Sequence, residues 1–129
     1  MKFKELCWLW GHPEGRYNNN ANNYGGAIYN FEGTLIINNC TFNNNTAEIC
    51  GVILNYGTLN ITKTTFNNNI GGAIDNADTL TINNTTFNNN KAEYGGAIQN
   101  QGTIKIENSL LTNNNANHGG AISGFNFNL

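Results

Sequence analysis

The sequence predicts an all-β fold: a right-handed single-stranded parallel β-helix (β-solenoid) of about five coils, with three short strands per coil. Three observations predict it. One four-residue motif recurs along the chain at a nearly constant spacing. A second segment alternates aliphatic and variable positions. The residues between these segments are Asn, Gly and Thr, which are poor helix formers and good corner residues.

The motif reads Gly25-Gly26-Ala27-Ile28, then Cys50-Gly51-Val52-Ile53, Gly71-Gly72-Ala73-Ile74, Gly95-Gly96-Ala97-Ile98 and Gly119-Gly120-Ala121-Ile122. Its isoleucines step by 25, 21, 24 and 24 residues. The first unit has one extra residue near Phe31-Glu32. The second lacks three residues after Asn69, where other units hold Thr46-Ala47-Glu48 or Lys91-Ala92-Glu93. Self-similarity at this period marks a solenoid, each unit being one layer that buries its apolar face on its neighbours.

The second segment is Thr34-Leu35-Ile36-Ile37, matched by Thr58-Leu59-Asn60-Ile61, Thr79-Leu80-Thr81-Ile82 and Thr103-Ile104-Lys105-Ile106. Fixed aliphatic residues separated by a variable one describe a strand with one buried face. Residues Tyr29, Leu54, Asp75, Gln99 and Ser123 vary in the same way and are expected to point outward. The third segment is Thr41-Phe42-Asn43-Asn44-Asn45, repeated around Phe66 and Phe87 and replaced by Leu111-Thr112-Asn113-Asn114 in the fourth unit. A leucine-rich repeat of similar period would place Asn where this chain has Cys40, Thr64, Thr85 and Ser109, so that alternative fails. Parallel crossovers are right-handed in nearly all proteins, which fixes the expected hand.

Ile28, Ile53, Ile74 and Ile98 with Phe42, Phe66, Phe87 and Leu111 are the expected core. Asn, 30 of 129 residues, is expected at the corners, because it tolerates the left-handed conformation and bonds to nearby backbone. Stacked coils also let equivalent Asn side chains bond one another. Asn30, Asn55, Asn76 and Asn100 form one expected ladder. Asn44, Asn68, Asn89 and Asn113 form another, with Asn45, Asn69, Asn90 and Asn114 beside it. Gly33, Gly57 and Gly102 precede the second strand, where positive φ is expected, and Asp78 substitutes in the third unit.

Residues 1–20 read as an irregular leader or an N-terminal cap, with Trp8 and Trp10 over the first coil. Residues 21–129 form the repeat domain. The run Phe125-Asn126-Phe127-Asn128-Leu129 offers no polar cap of the kind solenoids need, so further coils of a longer chain are the expected partner there. The N-terminal apolar run is too short for a signal-peptide core, so no export signal is visible. Net charge is −2 with six basic residues, which excludes a nucleic-acid partner, since phosphate binding needs clustered Lys and Arg. Cys7, Cys40 and Cys50 have no zinc spacing. Cys40 and Cys50 lie in different parts of the repeat, which disfavours a disulfide between them.

Catalytic chemistry is not expected, nor is any metal or cofactor. Polysaccharide lyases and hydrolases of this fold need converging carboxylates. Asp75 and Asp78 flank one corner, with Glu32 and Glu107 in other coils and columns. His12 and His118 have no nucleophile beside them. The Thr34, Thr58, Thr79 and Thr103 column lacks the flat regular neighbour column of an ice-binding face. Asn39, Asn44, Asn60, Asn83 and Asn84 fall in glycosylation sequons, most of them at corners. Tyr29, Tyr56 and Tyr94, with the loops 46–48 and 91–94, are the candidate contacts for a partner.

Gly-Gly-Ala-Ile paired with Phe-x-x-Asn resembles the chlamydial polymorphic membrane proteins. The wording Gly57-Thr58-Leu59-Asn60-Ile61-Thr62 is similar to the adhesin-like surface proteins of methanogenic archaea. Both groups belong to the pectin-lyase-like β-helix class. The resemblance covers residues 21–129. It implies a secreted or surface-exposed adhesin whose partner is a glycan or protein of a host or neighbouring cell, and a non-catalytic role.

Overall fold

The computed structural model describes residues 3–6, 14–17, 20–21, 28–48, 51–124 and 127–128. Three short strands come first: β1 (Phe3–Leu6), β2 (Glu14–Tyr17) and β3 (Asn20–Ala21). One turn follows in β4 (Ile28–Asn30), β5 (Thr34–Asn38), β6 (Cys40–Asn43) and β7 (Thr46–Ala47). The next is β8 (Ile53–Asn55), β9 (Thr58–Thr62) and β10 (Thr65–Asn67). Then come β11 (Ile74–Asn76), β12 (Thr79–Asn83), β13 (Thr86–Asn88) and β14 (Lys91–Tyr94). The last complete turn is β15 (Ile98–Asn100), β16 (Thr103–Glu107), β17 (Leu110–Thr112) and β18 (Asn115–His118), and β19 (Ile122–Gly124) and β20 (Phe127–Asn128) begin another.

Every strand pairs in parallel with its equivalent one turn away. Three stacked sheets result, in the orders β1-β5-β9-β12-β16-β20, β2-β6-β10-β13-β17 and β4-β8-β11-β15-β19, and two two-stranded sheets, β3-β7 and β14-β18, accompany them. This is a parallel β-solenoid of about four turns with three strands per coil. The five isoleucine motifs therefore give four complete turns, and the fifth opens a partial one. The strands β1 and β2, in the segment expected to be a leader or cap, pair with β5 and β6 and so occupy the place of a preceding turn. Trp8 and Trp10 lie outside the described residues.

Register follows the repeat. Leu35, Leu59, Leu80 and Ile104 align, as do Ile37, Ile61, Ile82 and Ile106. Their alternating burial turns one side of each strand into the core. Phe42, Phe66 and Phe87 are fully buried and stack with ring centroids 4.7 and 4.8 Å apart and planes within 5°. That separation is the strand spacing of a sheet. The coil rise, rather than a ring preference, sets it, and it exceeds ring contact distance enough to demand an offset stack. Leu111 continues the column half-buried.

Two expectations about the backbone are corrected. Among the corner glycines only Gly33 has positive φ, at 90°. Gly57 and Gly102 serve close stacking instead: a Cβ on Gly57 would lie 2.5 Å from the Gly33 carbonyl oxygen. The left-handed residues are Asn39, Lys63, Asn84 and Asn108 after the second strand, and Asn44, Asn68, Asn89 and Asn113 after the third, with φ between 49° and 58°. The outward column is also different. Tyr29 is exposed, but Leu54 and Asp75 are buried at 1% and 9% exposure, and Asp75 is held by a polar interaction. Strand alternation decides which side a residue faces, and Leu54 sits mid-sheet in register between Tyr29 and Asp75, where neighbours cover it.

Removing the middle ring of the stack empties a fully enclosed site with partners above and below. Phe66→Ala is expected to cost about 3–5 kcal/mol, measured by urea unfolding. Lys63 is the one left-handed residue among the described residues that is neither Asn nor Gly. Lys63→Asn should raise stability by about 1 kcal/mol by the same measurement, since Asn carries less of the left-handed penalty.

Candidate functional site

Three polar columns run along the solenoid, one inside each corner. At the first, after the Ile-containing strand, Asn30 Nδ2 donates to Asn55 Oδ1, Asn55 Nδ2 to Asn76 Oδ1 and Asn76 Nδ2 to Asn100 Oδ1, each at 2.7 Å. All four residues are buried. Each amide also ties the next strand's start: Asn55 Nδ2 donates to the Gly57 and Thr79 carbonyls at 2.8 and 3.1 Å. Asn76 Nδ2 does the same to Asp78 and Thr103 at 3.0 and 3.2 Å. A buried amide has two N–H donors and one carbonyl acceptor to satisfy, and this geometry satisfies them.

At the third corner, Asn45, Asn69, Asn90 and Asn114 make the ladder. Asn69 Nδ2 donates to Asn90 Oδ1 and Asn90 Nδ2 to Asn114 Oδ1, both at 2.9 Å. The Asn69 and Asn90 side chains also reach the Phe42 and Phe66 carbonyls at 3.1 Å. The neighbouring Asn44, Asn68 and Asn89 are exposed and left-handed. The expectation of a ladder through that column is corrected: a residue that bends the chain outward cannot also aim its side chain inward. Exposure of Asn44 and Asn84 also means that their sequons lie on the surface, not within the stack.

The second corner was not legible as a site. Here hydroxyls replace amides. Thr64 Oγ1 donates to the Thr62 carbonyl at 2.8 Å and accepts from the Cys40 amide at 3.4 Å. Thr85 and Ser109 repeat the arrangement, with Ser109 Oγ accepting from the Thr85 amide at 3.1 Å. The signal was present as a small polar residue after each left-handed position. Cys40 is disulfide-bonded. Cys7 and Cys50 lie outside the described residues, so the expectation about a Cys40–Cys50 bond does too, as do His12 and the Arg16 side chain.

Two surface grooves lie at places where the repeat is irregular. The shortened second unit keeps one residue, Ile70, bridging Thr46 and Lys91. Its missing strand leaves a groove of about 540 Å³ lined by Thr46, Ala47, Glu48, Ile70, Gly71, Lys91, Ala92 and Glu93. The lengthened first unit bulges at Phe31-Glu32. Beside it a groove of about 430 Å³ is lined by Glu32, Gly33, Thr34, Tyr56, Gly57, Thr58 and Asp78. Glu32 and Asp78, expected in unrelated columns, share this groove because the bulge carries Glu32 over the corner. Tyr29 stacks on Tyr56 at 6.1 Å and touches Phe31 at 6.2 Å, so three exposed aromatic residues adjoin it.

Tyr94 stacks on His118 at 4.9 Å, and His118 Nε2 lies 3.8 Å from Glu93, all on the exposed side of β14 and β18. Thr34 and Thr58 are half-buried at their strand starts, and Glu107 pairs with Lys105 at 3.0 Å, away from the Asp78 corner. Among the described residues no group of three or more His, Cys, Asp or Glu could hold a metal ion.

Residues 84–101 match the Chlamydia polymorphic membrane protein repeat. The match runs from the left-handed Asn84 through Phe87, the Asn90 ladder position and Gly95-Gly96-Ala97-Ile98, so it spans one third-corner turn and the strand that follows. No curated protein and no solved structure matches the chain.

Asn76→Ala would remove the Asn76 Oδ1 acceptor from the Asn55 amide and the Asn76 Nδ2 donor from Asn100 Oδ1 and the Asp78 and Thr103 carbonyls. A loss of about 3 kcal/mol or more is expected, read as a lowered urea midpoint. Asn44→Ala, at an exposed corner, should lose only about 1 kcal/mol.

Proposed function

We propose that this chain is a non-catalytic stretch of β-helix in a surface-exposed, adhesin-like protein, where it displays side chains for attachment. The observation that carries the reading is the polymorphic membrane protein repeat at residues 84–101, set in a solenoid whose inward residues are fixed and whose outward residues vary. The partners in this reading are further coils of the same protein along the axis, and a glycan or protein of a host or neighbouring cell across it.

A second reading is a carbohydrate-binding β-helix or the remnant of a polysaccharide-degrading enzyme. It draws support from the groove where Glu32 and Asp78 meet Tyr56. A catalytic remnant would release new reducing ends from an acidic polysaccharide in a calcium-dependent manner. The non-catalytic reading expects none.

The location is tested on intact cells that make the protein. Antibody raised against this chain should label them without permeabilisation, and external protease should remove the label. Labelling only after lysis would overturn the surface role.

A further inference from the structure

We infer that the groove beside Tyr56 is a subsite for a neutral glycan, with the Tyr56 ring as its stacking platform. The inference rests on the attachment role proposed for this chain and names the chemistry of what is attached.

The groove is a product of one sequence irregularity. In each turn the residue after the first-corner Asn projects outward: Phe31, Tyr56, Ala77 and Gln101 in succession. The extra residue in the first unit adds Glu32 to this corner. The groove is lined by Tyr56 with Glu32, Gly33, Thr34, Gly57, Thr58 and Asp78. Tyr29, Phe31 and Tyr56 are 47%, 64% and 48% exposed. They make an apolar ledge on a corner where regular turns carry none. The C–H faces of a pyranose ring pack on such an aromatic surface, while its hydroxyls need polar partners at the rim.

Those partners are present. Thr34 and Thr58 bring hydroxyls, and Glu32 and Asp78 bring carboxylates that accept from sugar hydroxyls. Thr79 Oγ1 donates to Asp78 Oδ1 at 3.1 Å, which orients that carboxylate. The walls are tied to neighbouring turns by backbone hydrogen bonds. Tyr56, Thr58 and Thr79 amides donate to the Asn30, Gly33 and Gly57 carbonyls at 2.8, 2.9 and 3.1 Å. The Asn30 and Asn55 ladder amides lie directly behind them. A preorganised groove loses less on binding than one that must order. Its volume, about 430 Å³, lies within the usual range of small-molecule sites, roughly 300–1,000 Å³.

Charge selects the sugar. The described residues that line the groove hold two carboxylates and no cation. A uronate or other acidic sugar would meet like charge, so neutral hexose units are favoured. A basic peptide is the competing occupant. It would bind through charge, and its affinity would fall as salt is added. Hydroxyl contacts and stacking would not respond in that way.

The test titrates the 129-residue chain with neutral gluco-, manno- and galacto-oligosaccharides, with oligogalacturonate and with oligolysine, following backbone amide shifts by NMR. A neutral oligosaccharide should bind with shifts centred on residues 31–34, 56–58 and 78, and with an affinity unchanged by added salt. Tyr56→Ala should weaken binding about tenfold or more, and Tyr56→Phe should preserve it. Tyr56 is exposed, so both variants should keep the wild-type amide spectrum elsewhere. Binding of none of the neutral sugars overturns the inference. So does preference for oligogalacturonate, tighter salt-sensitive binding of oligolysine, or insensitivity to Tyr56→Ala. The cell-labelling experiment separates the two levels. Surface label with an inert groove defeats the subsite alone, and internal label defeats the attachment role whatever the groove binds.

Discussion

The rest of the structure depends on one constraint: a polar side chain buried inside a corner must find its hydrogen-bond partners in the turns above and below. Asn55 does so through Asn76, and Asn76 through Asn100. Each bond is possible only if consecutive turns keep the same register, because a slip of one residue would carry the partner amide out of the corner and orphan its neighbour. The Phe column adds volume and burial, but the ladders say which residue stacks on which. An unsatisfied buried amide costs about 1–3 kcal/mol, repeated at every turn, so a shifted register is penalised along the whole stack.

The same constraint explains a composition that otherwise resembles a low-complexity tract. The triplet Asn43-Asn44-Asn45 places one residue type in three different jobs. Asn43 ends its strand half-buried and stacks side by side with Asn67, whose amide reaches it at 3.5 Å. Asn44 turns the chain with φ of 58°. Asn45 enters the ladder with Asn69. Asn suits all three because it is short, carries both donor and acceptor, and accepts the left-handed conformation. Where only one of the properties is needed, other residues appear: Lys63 in a left-handed corner, Thr64 and Ser109 as inward hydroxyls.

The architecture was legible because period and alternation are properties of the whole chain. Four Gly-Gly-Ala-Ile motifs with the variant Cys50-Gly51-Val52-Ile53, and four aliphatic pairs, leave little freedom in how the sheets form. Less legible was the division of labour between adjacent identical residues. Nothing in the string Asn44-Asn45 says which amide turns inward, since that depends on a φ angle set by the corner. Gly57 illustrates a related limit. A glycine before a strand reads as a conformational need, whereas the demand here is the approach of the Gly33 carbonyl from the neighbouring turn. Leu54 shows a third. Period-two patterning gives the side of the sheet but not what covers it. Finally, Glu32 and Asp78 are 46 residues apart in sequence, and only the stacking of a lengthened turn over regular ones brings them to one groove.

A solenoid of this kind separates fold from function. Inward positions are held by ladders and core, so a regular turn has little in which to differ except its outward residues and corner lengths. An insertion or deletion confined to a corner leaves the ladders on either side intact: Asn30 still meets Asn55 across the lengthened turn, and Asn69 still meets Asn90 across the shortened one. The cost of changing a corner is therefore local, and the shape it creates is held by rigid neighbours. It follows that distinctive surface chemistry belongs where the period breaks. Two grooves among the described residues lie at the 25-residue and 21-residue steps, and the aromatic ledge belongs to the first of them. The regular 24-residue turns supply the spacing, and the irregular ones carry these grooves.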